Sequence, residues 1–126
     1  MTPANPLLLR LYLRARHAVP LLAKPLLKRR LRAGKEHPTR WVEKCGTPGK
    51  PRPTGPLIWL HAVGLGEVLS LRGLISTMSD IDPAAHFVIT STALSSATGI
   101  AGQLPARTTH QFLPLDGFSI IGAPTL

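Results

Sequence analysis

Three short apolar runs, separated by helical patterns, constrain the fold of this chain more than any other feature. The first run, LIWLHAV, is apolar throughout except for His61, which is typical of a strand covered by helices on both faces. The second run, HFVITST, is rich in β-branched residues, which favour strands. The predicted strands span residues 57–63, 86–92 and 110–115, and the predicted helices between them span 67–79 and 93–104. Strands that alternate with helices predict an α/β fold with a parallel sheet.

Charge divides the chain into a basic arm and a nearly neutral body. Residues 1–56 carry 13 Lys and Arg but only two acids, Glu36 and Glu43, for a net charge of +11. Residues 57–126 carry a net charge of −2. A basic segment attached to a neutral body favours an anionic partner such as a membrane surface or a nucleic acid.

The basic arm combines leucines with Lys and Arg at roughly helical spacing. Pro20 and Pro25 predict that it is kinked or divided into two short helices, because proline removes a helix hydrogen bond and clashes with the preceding turn. A basic amphipathic helix is typical of a membrane interface. We favour that role over a solvated helix face and over nucleic-acid binding, for which the chain has no recognisable module and few aromatic residues. The residues expected at anionic headgroups are Arg10, Arg14, Lys28, Arg29 and Arg30.

Composition also indicates the organisation of the chain. Prolines and glycines cluster after the arm, which predicts a connector because both residue types break regular structure. The alternating strands and helices follow the connector. The last ten residues do not continue that pattern. The predicted segments are the arm at 1–33, the connector at 34–56, the partial domain at 57–116 and an atypical tail at 117–126.

The junction HAVGLGE, directly after the first predicted strand, is the leading candidate site. Ligands of parallel α/β sheets bind beyond the carboxyl ends of the strands, and Gly64 and Gly66 let the backbone turn tightly or approach a ligand closely. Glu67 has two interpretations. It either complements the helix dipole, which is worth about 0.3–1 kcal/mol, or acts as a general base toward a hydroxyl nucleophile. Leu69 stands where a dinucleotide-binding fingerprint would have its third glycine, so that kind of site is not predicted.

Polar residues at the other strand ends extend this candidate site. His61 is either a structural histidine held by a hydrogen bond or a functional one. Thr90, Ser91 and Thr92 either line a polar site or cap the next helix, and Asp116 either belongs to the site or forms a turn. No metal-ligand spacing occurs in the sequence, so neither a metal nor another cofactor is expected.

Several of these stretches resemble one known family. HAVGLGEVLSLRGLI resembles the His-Ala-x-Ser-x-Gly-Glu junction in the N-terminal domain of the 3-deoxy-D-manno-octulosonic acid (Kdo) transferases, which attach Kdo to lipid A. RAGKEHPTR is similar to the family's Arg-x-Gly-Lys-Glu-x-x-x-Arg connector, and FVITSTALSSA and HQFLPLD resemble the segments around its next two strands. The resemblance extends from about Leu7 to Asp116.

The resemblance implies the N-terminal, Rossmann-like half of a glycosyltransferase-B fold, preceded by the basic amphipathic helices. It implies an inverting transfer of Kdo from CMP-Kdo to a lipid A precursor, lipid IVA, in lipopolysaccharide biosynthesis. The expected location is the cytoplasmic face of the bacterial inner membrane, and the expected catalytic base is Glu67. The residues expected at the acceptor are His61, Gly64, Gly66, Thr90, Ser91 and Thr92.

Two departures from the family pattern alter these expectations. Gly64 stands where the family commonly has serine, so one hydroxyl near the acceptor is missing. Family members are also much longer, and their C-terminal domain binds most of the donor. We therefore expect a truncated half-fold with unpaired sheet edges that transfers no Kdo alone. The alternative is a non-catalytic membrane-binding or interaction remnant of the same half-fold.

Overall fold

A computed structural model describes residues 6–115 and contains a three-stranded parallel sheet. The strands are β1 (Leu57–His61), β2 (His86–Ser91) and β3 (Thr108–Phe112), in the spatial order β1-β2-β3. On the middle strand, Ile89 lies opposite Leu60 on one side and His110 on the other. The α/β fold with a parallel sheet, which the alternating pattern predicts, is confirmed.

Two helices, α3 (Leu65–Ile81) and α4 (Leu94–Ile100), join the strands and pack on one face of the sheet. The two helices cover an apolar surface formed by every second residue of the strands, because successive side chains of a strand lie on opposite faces. Full burial of one such side chain stabilises the fold by roughly 1.5–3 kcal/mol. The core consists of Ala62, Val68, Ile75, Ala85, Phe87, Ile89 and Ile100, with Ile58, Leu60, Leu71, Met78 and Leu104 packed against it.

The last helix and the last strand differ in extent from the sequence prediction. α4 ends earlier than predicted, and Gly102 follows it in a left-handed conformation (φ 73°) of the kind that ends helices. β3 begins two residues earlier than predicted, at Thr108, and ends at Phe112. Pro114 follows, and proline has no N–H with which to extend the ladder.

The opposite face of the sheet carries no helix within residues 6–115. Trp59 is 49% exposed there, and His61 is also exposed. A continuous apolar run is typical of a strand covered on both faces, but a truncated half-fold is expected to leave its sheet faces only partly covered, and Trp59 and His61 are exposed within residues 6–115. This half-covered sheet leaves the side chains at the end of β1 accessible.

The basic arm is helical but divides at a different place from the predicted one. α1 (Pro6–Ala15) and α2 (Val19–Arg32) are separated by a 3₁₀ turn at Arg16–Ala18. Pro20 lies in the first turn of α2, where a helix needs no N–H donor. The predicted pair of helices is found, but Pro25 lies inside α2 and not at the division between them.

The arm makes few buried contacts. None of the ten residues of α1 is buried, and α2 buries only Ala23 and Leu27.

Within residues 6–115, no helix is both long enough and apolar enough to cross a bilayer.

The connector carries a 3₁₀ turn at Trp41–Cys45 that packs against β3. Its apolar residues Trp41 and Val42 are only half-buried, whereas the charged Glu43 and Lys44 are buried. Buried charges need partners, and the connector supplies them.

One of these partnerships closes part of the edge of β3. The Arg40 Nη2 donates to the carbonyl of His110 at 2.8 Å, and the Glu43 Oε2 accepts from the N–H of Phe112 at 2.8 Å. A neighbouring strand would use these same two backbone groups. The expectation of unpaired sheet edges is therefore corrected at β3, where an ion pair takes the place of the next strand.

Candidate functional site

The carboxyl edge of the sheet presents Glu67 at the start of α3. Gly64 is the N-cap residue of that helix, so Glu67 is its third residue. The Glu67 Oε2 accepts a hydrogen bond from the backbone N–H of Val63 at 2.8 Å. A glutamate at this helical position commonly reaches back to an otherwise unpaired N–H, and the contact fixes the direction of the side chain.

Glu67 remains exposed to solvent despite this contact. A carboxylate that is anchored through one oxygen and open to solvent can accept a proton from a hydroxyl group bound beside it. The capping contact and the base role are therefore compatible. The structure contains the capping contact itself, and the exposed carboxylate is accessible to a hydroxyl group that would give up its proton.

Gly64 and Gly66 lie beside this carboxylate, but neither needs the conformational freedom of glycine. Gly64 is extended (φ −109°, ψ 168°) and Gly66 is helical. A Cβ atom at either position would meet no atom within 4 Å in the described residues. A tight turn therefore does not explain these glycines, whereas the open space above them suits close approach of a ligand.

His61 and Thr90 come together on the uncovered face of the sheet. They pair across β1 and β2, and the His61 Nδ1 lies 3.0 Å from the Thr90 Oγ1. The indole N–H of Trp59 donates to the same hydroxyl at 2.8 Å. Thr90 is 3% exposed, so Trp59 and His61 offer the accessible surface of this group.

Ser91 and Thr92 do not join that group. Ser91 faces the opposite side of the sheet, where its Oγ lies 2.7 Å from the Nε2 of His110 in a buried contact. Thr92 is exposed in the loop before α4. Asp116 lies outside the described residues.

His110 is a buried residue that the sequence did not single out. The Arg40 Nη2 lies 3.2 Å from its Nδ1. A guanidinium can only donate, so Nδ1 accepts and the ring proton lies on Nε2, from which it reaches Ser91. Burial, with a smaller contribution from Arg40, lowers the pKa of His110 to about 4, so the ring is neutral near pH 7.

A second buried charge cluster ties the arm to the connector. The two oxygens of Glu36 accept from the Arg30 Nε at 2.7 Å and from the Lys44 Nζ at 2.6 Å. The side chains of Glu36 and Lys44 are 1% and 8% exposed. Burial acts to raise the pKa of Glu36, but the hydrogen bonds from Lys44 and Arg30 together outweigh it, so the pKa lies below its usual value.

One sequence signal pointed to these clusters. Glu36 and Glu43 are the only acids among the first 56 residues, and an isolated acid in a basic segment is a natural ion-pair partner. The motif RAGKEHPTR also contains Glu36 and Arg40. Spacing alone could not identify the distant partner, because Glu43 contacts an N–H that lies 69 residues further along the chain.

The residues expected at a membrane surface do not all have the same surroundings. Arg10 and Arg14 lie on α1, and Lys28 and Arg29 lie on α2, all exposed. Arg30 is bound to Glu36, so part of its charge is already neutralised. Large apolar residues share these helices and expose 41–77% of their surface: Leu7, Leu8, Leu9, Leu11, Tyr12, Leu13, Leu21, Leu22 and Leu26.

A groove in the described residues lies away from Glu67. It has a volume of about 430 Å³ and runs between the connector and the α4–β3 side of the body, with Val42, Lys50, Ala97 and Gln111 among its lining residues. Glu67 does not line it. Among residues 6–115, no group of three His, Cys, Asp or Glu side chains could hold a metal ion.

Comparison with known proteins places these features in context. A family model described as 3-deoxy-D-manno-octulosonic-acid transferase (kdotransferase) matches residues 39–123. This range includes β1, β2, β3, α3 and α4, together with Glu67 and the connector turn.

Curated proteins match over much of the same region. A probable mitochondrial 3-deoxy-D-manno-octulosonic acid transferase of Arabidopsis thaliana is 41% identical over 97 residues, which cover 77% of this chain and 22% of the relative. The 3-deoxy-D-manno-octulosonic acid transferase of Rickettsia prowazekii (strain Madrid E) is 43% identical over 60 residues, or 48% of this chain and 13% of the relative. The aligned part therefore spans about a fifth or less of the length of these relatives. No solved structure matches the chain significantly.

Proposed function

Since this chain belongs to the 3-deoxy-D-manno-octulosonic acid (Kdo) transferase family and corresponds to its N-terminal domain, we propose that it forms the acceptor side of a Kdo transferase. The complete enzyme would transfer Kdo from CMP-Kdo to the lipid A precursor lipid IVA in lipopolysaccharide biosynthesis. The parallel sheet would be one half of a glycosyltransferase-B fold, whose second domain binds most of the donor.

Glu67 is the proposed catalytic base. A hydroxyl of the acceptor loses its proton to the Glu67 carboxylate while its oxygen forms a bond to the anomeric carbon of Kdo. The bond from that carbon to the CMP phosphate breaks, and CMP leaves with the electron pair. One observation carries this assignment: within the family-matched region, Glu67 is exposed at the carboxyl edge of the sheet and aimed by the N–H of Val63.

The neighbouring residues have proposed roles that follow from their surroundings. The open space above Gly64 and Gly66 lets the acceptor approach the backbone closely. His61 and Thr90 form one polar group that would orient the acceptor. Thr92 lies in the adjoining loop, whereas the hydroxyl of Ser91 is engaged with His110 and would support the site from behind.

The arm would hold the enzyme at the cytoplasmic face of the inner membrane. Exposed leucines on α1 and α2 can enter the acyl boundary while Arg10, Arg14, Lys28 and Arg29 meet anionic headgroups. A phosphorylated lipid acceptor resides at that same interface. The proposed location therefore brings enzyme and acceptor together.

The direct test is a transfer assay with CMP-Kdo and lipid IVA, performed on the complete enzyme that carries these residues. Glu67→Gln keeps the size of the side chain but removes the base, and we expect the turnover rate to fall at least ~100-fold. The matched control is Asp80→Asn, which neutralises another exposed acid of α3 and should change the rate less than about twofold.

Two outcomes would contradict the proposal. A loss of less than about tenfold in Glu67→Gln would leave Glu67 as a helix cap alone. Membrane binding without any transfer by the unsubstituted enzyme would favour the non-catalytic alternative.

A further inference from the structure

We propose that Glu36 is a positioning residue that holds the basic arm at the same edge of the sheet as Glu67. This inference rests on the proposed function, because it concerns how a lipid acceptor bound near the arm reaches the base. It assigns a role to a buried charge cluster that the transfer chemistry itself does not use.

The contacts of Glu36 join two separate parts of the chain. One carboxylate oxygen binds Arg30 on α2, and the other binds Lys44 in the connector turn. Both oxygens are therefore engaged, and the carboxylate is almost completely buried. The Arg30 side chain is itself 46% exposed, so the Lys44 contact is the fully buried one of the two. Charge-assisted hydrogen bonds of this length to a buried carboxylate favour one relative orientation of the segments that carry them.

The cluster lies at the carboxyl edge of the sheet. The carbonyl of Lys44 accepts from the N–H of Leu115, just beyond β3, at 3.0 Å. Glu43, next to Lys44, accepts from the N–H of Phe112, the last residue of β3. Because the strands are parallel, their carboxyl ends meet at one edge, and Glu67 follows β1 at that edge.

Within residues 6–115, few other residues of the arm are buried against the body. α2 buries only Ala23 and Leu27, and α1 buries nothing within Pro6–Ala15. Glu36 thus supplies a charged tie between an exposed, leucine-rich helix pair and the body. Without it, α2 keeps its basic residues and leucines but loses a fixed direction relative to Glu67.

A fixed direction matters because transfer needs the acceptor hydroxyl close to Glu67. An acceptor held at the interface by a rigidly mounted arm is presented to the base at a high effective concentration. A loosely attached arm still binds the membrane, but the base then samples many positions relative to the lipid. Glu36 would therefore affect the use of a membrane-embedded acceptor far more than the use of a dispersed one.

Two variants test the tie. Glu36→Gln removes the charge that binds Arg30 and Lys44. The double variant Glu36→Gln/Lys44→Met also removes the buried cation that the first leaves unpaired, which protects folding because apolar replacements of buried ion pairs are often tolerated. The control is Ile75→Ala, which destabilises the core without touching the arm.

Each variant of the complete enzyme is assayed with lipid IVA in anionic vesicles and with lipid IVA dispersed in detergent. For both Glu36 variants we expect KM in vesicles to rise about tenfold, while kcat in detergent stays within about twofold. Vesicle co-sedimentation should not change. Ile75→Ala should lose activity equally in the two formats, because its effect does not depend on how the acceptor is presented.

A distance measurement reports the tie independently of activity. Spin labels at exposed positions of α2 and α3, introduced as Leu22→Cys and Ser76→Cys in a Cys45→Ser background, should give a narrow distance distribution that broadens in both Glu36 variants. The positioning role is overturned if the distribution stays narrow, or if the Glu36 variants lose activity equally in vesicles and detergent. If the unsubstituted enzyme transfers no Kdo in either format, the proposed function itself is wrong and the positioning role falls with it.

Discussion

Glu67 and Glu43 both lie at the carboxyl ends of strands, but in opposite surroundings. Glu67 is exposed and accepts one backbone N–H. Glu43 is 3% exposed, binds Arg40 through both oxygens and accepts the N–H of Phe112. A buried carboxylate with every oxygen engaged serves the fold, whereas an exposed one that is merely aimed is free to take a proton.

The loop before α3 and the connector are attached to the sheet in two different ways. The loop before α3 follows directly from the chain path after β1, so Glu67 needs no long-range partner. The connector instead reaches the far edge of β3, where Arg40 and Glu43 bind the backbone groups that a further strand would use. Arg40 and Lys44 also lie 5.1 Å from the ring centroid of Phe112, within the range of a cation–π contact.

The largest expected effect comes from removing Arg40. Arg40→Ala leaves Glu43 buried without its cation and frees the His110 carbonyl, and loss of one partner of a buried pair costs about 3–5 kcal/mol. Urea unfolding followed by circular dichroism measures this as a lower free energy of unfolding. Arg52→Ala removes an exposed connector arginine and should change that free energy by less than about 0.5 kcal/mol; similar losses in both variants would contradict the account of the β3 edge.

The second prediction concerns pH and His110. Its pKa is lowered from 6.5 to about 4 in the folded protein, so between these values the unfolded chain binds a proton that the folded chain does not. Stability should therefore be complete above pH 6.5 and decline as the pH falls toward 4, by at most about 1.4 kcal/mol per pH unit from this group.

His110→Gln removes this titration and isolates its contribution. The difference in unfolding free energy between the two proteins, measured by urea unfolding at several pH values, should narrow as the pH falls from 6.5 to 4. A constant difference across that range would show that His110 is not held neutral.

The smallest expected effect is an increase in stability. Gly66 is helical and a Cβ there meets no described atom, so Gly66→Ala should raise the free energy of unfolding by roughly 0.4–1 kcal/mol. If the acceptor approaches this backbone, the same variant should have a higher KM for lipid IVA. Increased stability with an unchanged KM would remove Gly66 from the proposed acceptor site.

The parts of this structure that the sequence predicted are those with local causes. The strands and α3 follow from the spacing of apolar residues along the chain. The choice of Glu67 as a candidate site residue follows from its position at the start of a predicted helix. Strand alternation also determines that Thr90 and Ser91 face opposite sides, although both were expected at the acceptor. The alternation therefore places Thr90 and Ser91 at different sites.

The parts that were missed depend on contacts between distant residues. Composition predicts a connector at 34–56, but it does not show that two carboxylates of this segment, Glu36 and Glu43, are buried. Glu43, for example, accepts from a backbone N–H that lies 69 residues further along the chain, and local propensity does not show such a contact. Pro25 was expected to kink or divide the arm, and it lies within α2, so the division falls elsewhere.

The most direct test of the central comparison is the free energy of unfolding of Glu67→Gln measured beside that of Glu43→Gln. Both variants make the same chemical change, so they differ only in surroundings. We predict a loss of at most about 1 kcal/mol for Glu67→Gln, the size of a helix-end charge effect, and of about 3 kcal/mol or more for Glu43→Gln. Equal losses, or a larger loss for Glu67→Gln, would mean that the fold needs Glu67 as much as it needs Glu43, and would contradict the account.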